Sequence, residues 1–291
     1  MAEPRTLCTM SLRDGRSLAW AEYGDPAGKP VLYFHGFPGS RLEARPTHDA
    51  AAKAGARVLA IDRPGFGHSS PKRGRRIMDW PADVCAFADH LALERFAAMG
   101  VSGGGPYAAV CAYRIPDRLT NVAIVCGVAP FDIPAATEGM MRMNRLLFGL
   151  SRYSELFPRL MMAVMARSMR RNPDAAIKQM RARMPEPDQK VLDRPELRGS
   201  FLGSALEALR QGTHEAGHES ALYARPWGFR LEDISREVLL YQGELDVNVP
   251  PGMGRYQANA LPNCRAHFYP DEGHISLVLD HSEEILAALL R

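Results

Sequence analysis

Residues Phe96-Ala97-Ala98-Met99-Gly100-Val101-Ser102-Gly103-Gly104-Gly105 pass from a short apolar run into a cluster of glycines, and a helical pattern follows through Arg114. Within this stretch Gly100-Val101-Ser102-Gly103-Gly104 has the form G-x-S-x-G. Small neighbours let a chain turn sharply between strand and helix and hold a serine hydroxyl clear of the sheet. Ser102 is therefore the candidate nucleophile. A glycine-rich turn or phosphate cradle is the alternative, but the spacing is neither G-x-G-x-x-G nor a Walker loop with its lysine.

Outward from this turn, short β-branched or aromatic runs bounded by Gly, Pro and Asp recur at Thr6–Leu12, Ser17–Tyr23, Val31–Phe34, Arg57–Ile61, Phe96–Val101 and Val122–Val125. Most from Val31 onward are continuously apolar, the pattern of strands covered on both faces. Helical patterns over Met78–Leu93 and Gly104–Arg114 alternate with them. This order predicts an α/β fold with a doubly wound, mostly parallel sheet, the first two strands pairing as an antiparallel entry. The rhythm stops near Pro130 and returns near Glu237, with strands over Val238–Tyr241 and Ala266–Tyr269 and a closing helix over Ser282–Leu290. Between them, 131–230 holds no convincing strand. Apolar positions at helical spacing, such as Met161, Met162, Met165 and Met169, predict an all-helical insertion. The expected organisation is a core over 1–130, a helical cap insertion over 131–230 and the rest of the core over 231–291.

The chain has 291 residues, 46% hydrophobic and 24% charged, which excludes disorder and a small disulfide scaffold. Its formal charge of +3 is too balanced to imply nucleic-acid binding. The charge is nonetheless segregated: 131–230 carries 16 basic and 11 acidic residues, about +5, leaving about −2 elsewhere. That segment also holds nine of the fourteen Met, which read first as core filler and second as an adaptable pocket lining. Five Cys (Cys8, Cys85, Cys111, Cys126 and Cys264), odd in number and without C-x-x-C spacing, read as reduced thiols. With no apolar leader-like run over Met1–Gly15 and no membrane-length apolar stretch, a cytoplasmic location is expected.

A serine nucleophile needs a base, and the base needs a partner that fixes its tautomer. Asp246, in Gln242-Gly243-Glu244-Leu245-Asp246, follows one predicted strand, and His274, in Glu272-Gly273-His274, follows another. Loops at the carboxyl ends of an open α/β sheet converge on one edge, where ligands bind. Asp132 and Glu244 are the alternative acids. His281 lies a turn or more past the loop, where the surface of the closing helix is expected.

The order Ser102, Asp246, His274 resembles that of the α/β-hydrolase fold superfamily, in particular its serine esterase and lipase-like members with a helical cap. His35-Gly36-Phe37-Pro38-Gly39 is similar to the family's oxyanion loop, and Asp62-Arg63-Pro64-Gly65-Phe66-Gly67-His68-Ser69 resembles a turn typical of such members. The resemblance implies that backbone N–H groups of Phe37 and Gly103 form an oxyanion hole and that His35 buttresses its loop. It implies a carboxylesterase-like serine hydrolase that works through an acyl-enzyme on a small-molecule ester, with no cofactor and no metal. Gln242 stands where relatives often carry His. Amidase, lactonase, carbon–carbon bond hydrolase, acyltransferase and ligand-sensing roles stay open, as does homo-oligomerisation. Epoxide hydrolases and haloalkane dehalogenases of the family attack with Asp, whereas this turn carries Ser102; proline iminopeptidases have H-G-G-P-G where Phe37 interrupts the pattern here.

His214-Glu215-Ala216-Gly217-His218 matches H-E-x-x-H, a zinc-binding pattern on a helix. Gly217 weakens a helix and no third ligand is indicated, although Glu219 or a distant carboxylate could serve, so the match reads as a solvated segment. The runs Arg73–Arg76 and Arg167–Arg171 likewise read as solvated charge.

Overall fold

The computed structural model describes residues 3–133 and 136–291. Eight strands form one sheet: β1 (Arg5–Ser11), β2 (Ser17–Gly24), β3 (Lys29–Phe34), β4 (Ala56–Ile61), β5 (Phe96–Val101), β6 (Leu119–Val125), β7 (Val238–Gly243) and β8 (Cys264–Tyr269). Their spatial order is β1-β2-β4-β3-β5-β6-β7-β8. β1 and β2 are antiparallel, β2 joins β4 antiparallel, and every later pairing is parallel. The sheet is thus the doubly wound, mostly parallel one expected, with an antiparallel entry.

Successive residues of the central strands point into two separate cores, which explains their unbroken apolar runs. Leu32 and Phe34 of β3, Ala98 of β5 and Ile124 of β6 share one core. Val31 and Tyr33, Met99 and Val125 share the other. β8 is the exception: as an edge strand it leaves Arg265, Ala266 and His267 exposed.

Helices α1 (His48–Lys53), α2 (Trp80–His90) and α3 (Gly105–Arg114) cross between the early strands. α2 is shorter than the Met78–Leu93 pattern suggested. A 3₁₀ turn over Ile77–Asp79 precedes it, with Asp79 accepting from the Arg76 N–H at 2.8 Å, and Ala92 beyond its end turns left-handed at φ 53°.

Between β6 and β7 the described residues form no strand. They form α4 (Arg142–Ser151), α5 (Leu156–Arg171), α6 (Pro173–Arg181), α7 (Glu186–Asp193), α8 (Pro195–Ala208) and α9 (His214–Ala224). Met162 and Met169 are buried, while Met161 and Met165 pack against the core at its margin. After β7 come α10 (Pro251–Ala260), α11 (Ile275–Asp280) and α12 (Ser282–Leu289). Among the described residues no helix is long and apolar enough to cross a membrane.

Candidate active site

β5 ends at Val101, and Ser102 then adopts φ 53°, a left-handed backbone that a residue with a Cβ seldom takes. The turn closes because its neighbours lack side chains. A Cβ on Gly104 would lie 2.0 Å from the Phe34 carbonyl oxygen, and one on Gly103 would lie 2.5 Å from Tyr223 Oη. The Ser102 carbonyl accepts from the Val128 N–H at 3.0 Å, which ties the turn to the end of β6. Ser102 itself is partly exposed, as a reacting group must be.

Asp246 and His274 meet directly: His274 Nδ1 is 2.6 Å from Asp246 Oδ2. The other oxygen of Asp246 accepts from the N–H groups of Asn248 (2.8 Å) and Val249 (2.9 Å), so the carboxylate is held from behind. Gln242 Nε2 reaches Asp246 Oδ2 at 3.5 Å and the Val249 carbonyl at 3.0 Å, lying behind the acid. Burial disfavours the His274 imidazolium, but the Asp246 charge and hydrogen bond outweigh it and hold His274 well above the ordinary imidazole range. Among the described residues no hydrogen bond joins Ser102 to His274; such contacts are often long in unliganded sites and tighten around substrate.

The alternative groups sit elsewhere. Asp132 is exposed, and Glu244 pairs with Arg255 at 2.7 Å. His281 lies at the junction of α11 and α12 rather than on a helix surface, bridging Glu272 (3.0 Å) and Glu284 (3.2 Å).

Asp188 was not singled out from sequence. Buried on α7, it accepts from the backbone N–H groups of His274 (3.0 Å), Ile275 (2.8 Å) and Ser276 (3.0 Å), capping α11 from a different helix. Asp188→Ala is expected to cost about 2 kcal/mol by stranding these donors. Asp188→Asn, which keeps one acceptor oxygen, should recover much of that loss in urea denaturation.

The loop after β3 is braced equally firmly. Arg63 donates to the His35 carbonyl and, at 3.0 Å, to the Gly36 carbonyl. The Arg63 N–H donates to His35 Nε2 at 3.2 Å, so His35 Nδ1 carries the proton and donates to the Gly36 carbonyl at 2.9 Å. Burial, reinforced by the Arg63 charge, keeps His35 neutral by pushing it well below the imidazole range. This is the buttressing geometry expected of His35. Phe37 reaches the turn, for a Cβ on Gly103 would lie 2.9 Å from Phe37 Cβ. Glu43 also enters the site unforeseen: its Oε1 accepts from the Gly36 N–H at 2.7 Å and from Tyr33 Oη at 3.0 Å. Burial raises the Glu43 carboxyl above its usual range.

Arg63 is itself held by Glu219 of α9, Nε to Oε1 at 2.7 Å, with neither side chain exposed. Glu219 Oε2 accepts from Tyr107 Oη at 2.8 Å and from Arg75. Tyr223 Oη, 2.9 Å from the Gly103 carbonyl and 2.7 Å from Glu219 Oε1, offers its one proton between two acceptors. A single buried network thus links α9 to both the Gly36 loop and the serine turn.

This corrects two expectations. The His214–His218 match is not solvated: α9 is buried over most of its length from Ala216 to Ala224. His214 is exposed, whereas His218 Nε2 donates to the Arg75 carbonyl at 2.9 Å and its Nδ1 lies 3.1 Å from Glu155. Gly217 is required there, since a Cβ would sit 2.7 Å from the carbonyl oxygen of Glu155, the residue that opens α5. Nor is all of Arg73–Arg76 solvated. Arg73 and Arg76 are exposed, but Arg75 is buried because it neutralises Glu219.

Among the described residues one set of metal-type donors converges: Cys126, Asp246 and His274, with ligand atoms within 4.8 Å of one another. Burial pushes the Cys126 thiol up to about 11, and the Asp246 oxygens are already taken by His274 and by the N–H groups of Asn248 and Val249. The set fits an acid–imidazole pair beside a thiol better than a cation site.

A strained serine turn, an Asp-His pair and a braced loop on the carboxyl edge of a parallel sheet define a hydrolase-type α/β protein. The alpha/beta hydrolase fold family matches residues 29–280, and the chain belongs to that family. Epoxide hydrolase B of Mycobacterium tuberculosis is 34% identical over 134 residues, 45% of this chain and 36% of that protein. A non-heme chloroperoxidase of Streptomyces lividans is 31% identical over 132 residues, 45% of this chain and 48% of that one. This chain therefore matches less than half the length of either. A hydrolase of Pseudomonas aeruginosa PA01 superposes with a TM-score of 0.71 over 98% of both chains at 20% identity, a likeness of fold alone.

Proposed function

We propose that the chain is a serine hydrolase that cleaves carboxylic esters through an acyl-enzyme. The observation that carries this reading is the Asp246–His274 pair at the same sheet edge as a partly exposed serine at φ 53°. His274 takes the Ser102 proton as Oγ attacks the acyl carbon, and the tetrahedral oxyanion is received by the N–H groups of Phe37 and Gly103. Collapse breaks the ester bond while His274 returns the proton to the leaving alcohol. Water, deprotonated by the same imidazole, then releases the acid and restores Ser102. Asp246 holds the tautomer and stabilises the imidazolium. The cycle consumes only ester and water. The helices between β6 and β7 act as the cap, with the Met residues at the core margin shaping the space for the substrate.

The names of the relatives do not select the ester bond; a serine nucleophile supports an acyl substrate, because an acyl carbon gives it a hydrolysable intermediate, and esters are among the most readily cleaved of these. Labelling by a serine-reactive phosphonate, followed by mass spectrometry across a pH series, tests the proposal. One adduct on Ser102 is expected, together with turnover of short p-nitrophenyl esters. The base must be neutral and His274 is held high, so the labelling rate should rise with pH through a midpoint above the ordinary imidazole value of about 6.5. Asp246→Asn should slow labelling and move that midpoint down. An adduct on another residue, or no adduct on the folded protein, rejects the mechanism.

A further inference from the structure

Nine large hydrophobic side chains are exposed among the described residues, and seven of them lie between Met143 and Val164. On α4 the exposed face carries Leu146 and Leu150, one turn apart, while Leu147 and Phe148 are buried. On α5 it carries Leu156, Leu160 and Val164 at a strict spacing of four, while Met162, Ala166 and Met169 are buried. Tyr153, 81% exposed, stands in the turn between the two helices. Each helix therefore has two apolar faces, one that packs inward and one that faces out.

The outer face is also strongly cationic. Residues 142–171 contain seven Arg and one acidic residue, Glu155. Glu155 is already occupied by His218 and Arg225. None of the seven guanidinium groups is in an ion pair among the described residues, although Arg residues elsewhere in the chain are commonly paired. Their register follows the apolar stripe: Arg142 lies one turn before Leu146, and Arg167 and Arg171 continue the line of Leu156, Leu160 and Val164.

We propose that the outer face of α4 and α5 docks on an anionic lipid bilayer. Aliphatic side chains backed by unpaired arginines in helical register are the chemistry of an interfacial helix, in which the apolar groups enter the acyl boundary and the cations meet the headgroups. Arg159 packs inward on Gly217 of α9, but the other six arginines are exposed, and charge therefore argues against a second copy of this chain, because face-to-face pairing would set six unpaired arginines against six. Five exposed aliphatic groups against one aromatic, Tyr153, argue against nucleic acid, whose bases stack on aromatic side chains. The inner side of α4 lies beside the candidate site: the Phe148 ring is 6.2 Å from that of Phe37 and 6.1 Å from that of Tyr223. A docked molecule would thus hold its site one helix away from the lipid.

Co-sedimentation of the full chain with vesicles of phosphatidylcholine, alone or mixed with phosphatidylglycerol, tests this. Binding to the mixed vesicles is expected to exceed binding to the neutral ones by at least about tenfold at low salt, and to weaken as salt is added. Replacing Arg167, Arg170 and Arg171 with Gln should lower partitioning about fivefold per charge. The triple change Leu156→Ser, Leu160→Ser and Val164→Ser should remove the binding that survives salt. These side chains are exposed, so an unchanged Tm separates lost docking from lost folding. The proposal is overturned if the mixed vesicles are not bound, or if binding survives both sets of changes. It is equally overturned by a concentration-dependent dimer that the serine set dissociates, or by binding to an acidic polypeptide without binding to vesicles. Vesicle binding is read without turnover, so its outcome is independent of the ester chemistry.

Discussion

Ser102→Ala is expected to lower kcat on a short p-nitrophenyl ester by about a million-fold, the loss typical of removing the nucleophile from an interdependent triad. The change deletes one oxygen from a partly exposed side chain and leaves the backbone turn closed by Gly103 and Gly104, so circular dichroism and Tm should match the parent. Ser102→Gly sharpens the test. Glycine is at ease at φ 53°, and relief of about 1–3 kcal/mol of backbone strain offsets the entropy it loses on folding. That variant should be equally inactive yet no less stable than the parent. Turnover that persists in both variants would remove Ser102 from the chemistry.

Glu219→Ala is expected to destabilise the fold by about 3–5 kcal/mol, the usual cost of stranding a buried partner charge. Arg63 is fully buried and, among the described residues, keeps no other carboxylate within ion-pair distance, whereas Arg75 retains Glu215 at 3.6 Å. Most of the cost therefore falls on Arg63, which holds the Gly36 loop, and activity should fall along with stability. Burial alone would raise the Glu219 carboxyl, but Arg63 and Arg75 overcome it and hold the group far below the usual carboxylate range. The sign follows: Glu219 stabilises fully above the unfolded value of about 4.3 and loses that contribution only as pH falls through its lower folded value. Urea denaturation at pH 7 should separate parent and variant widely, with the gap closing only in strong acid. Equal stability at pH 7 would show that the network carries no net energy.

The parallel sheet was legible because burial on both faces leaves a local trace, the unbroken apolar runs of β3 to β7. β8 was legible as a strand but not as an exposed edge, since edge position depends on what lies beyond it. Ser102, Asp246 and His274 could be named because each follows a strand closely, and the structure brings the last two into contact. Asp188 and Glu219 were hidden for the opposite reason: their partners lie 86 and 156 residues away in the chain. The local pattern around Glu219 even pointed elsewhere, towards zinc, when its informative feature was the spacing of four to Tyr223 on one helix face. Arg75 was misread with it, because a basic run looks solvated until its buried counter-charge is found.

The grip of Asp188 on the His274 loop, together with that of Glu219 on Arg63, bears on modular exchange. Helices joined to a sheet only through their chain ends could be swapped for those of a relative to change selectivity. Here a transplanted insertion without an acid at each of these two places would leave Arg63 uncompensated and the start of α11 uncapped, so a chimera would lose its folded core before its new preference could be measured. Any workable graft must carry both carboxylates with it, or leave α7 and α9 in place and replace only the helices between β6 and α7.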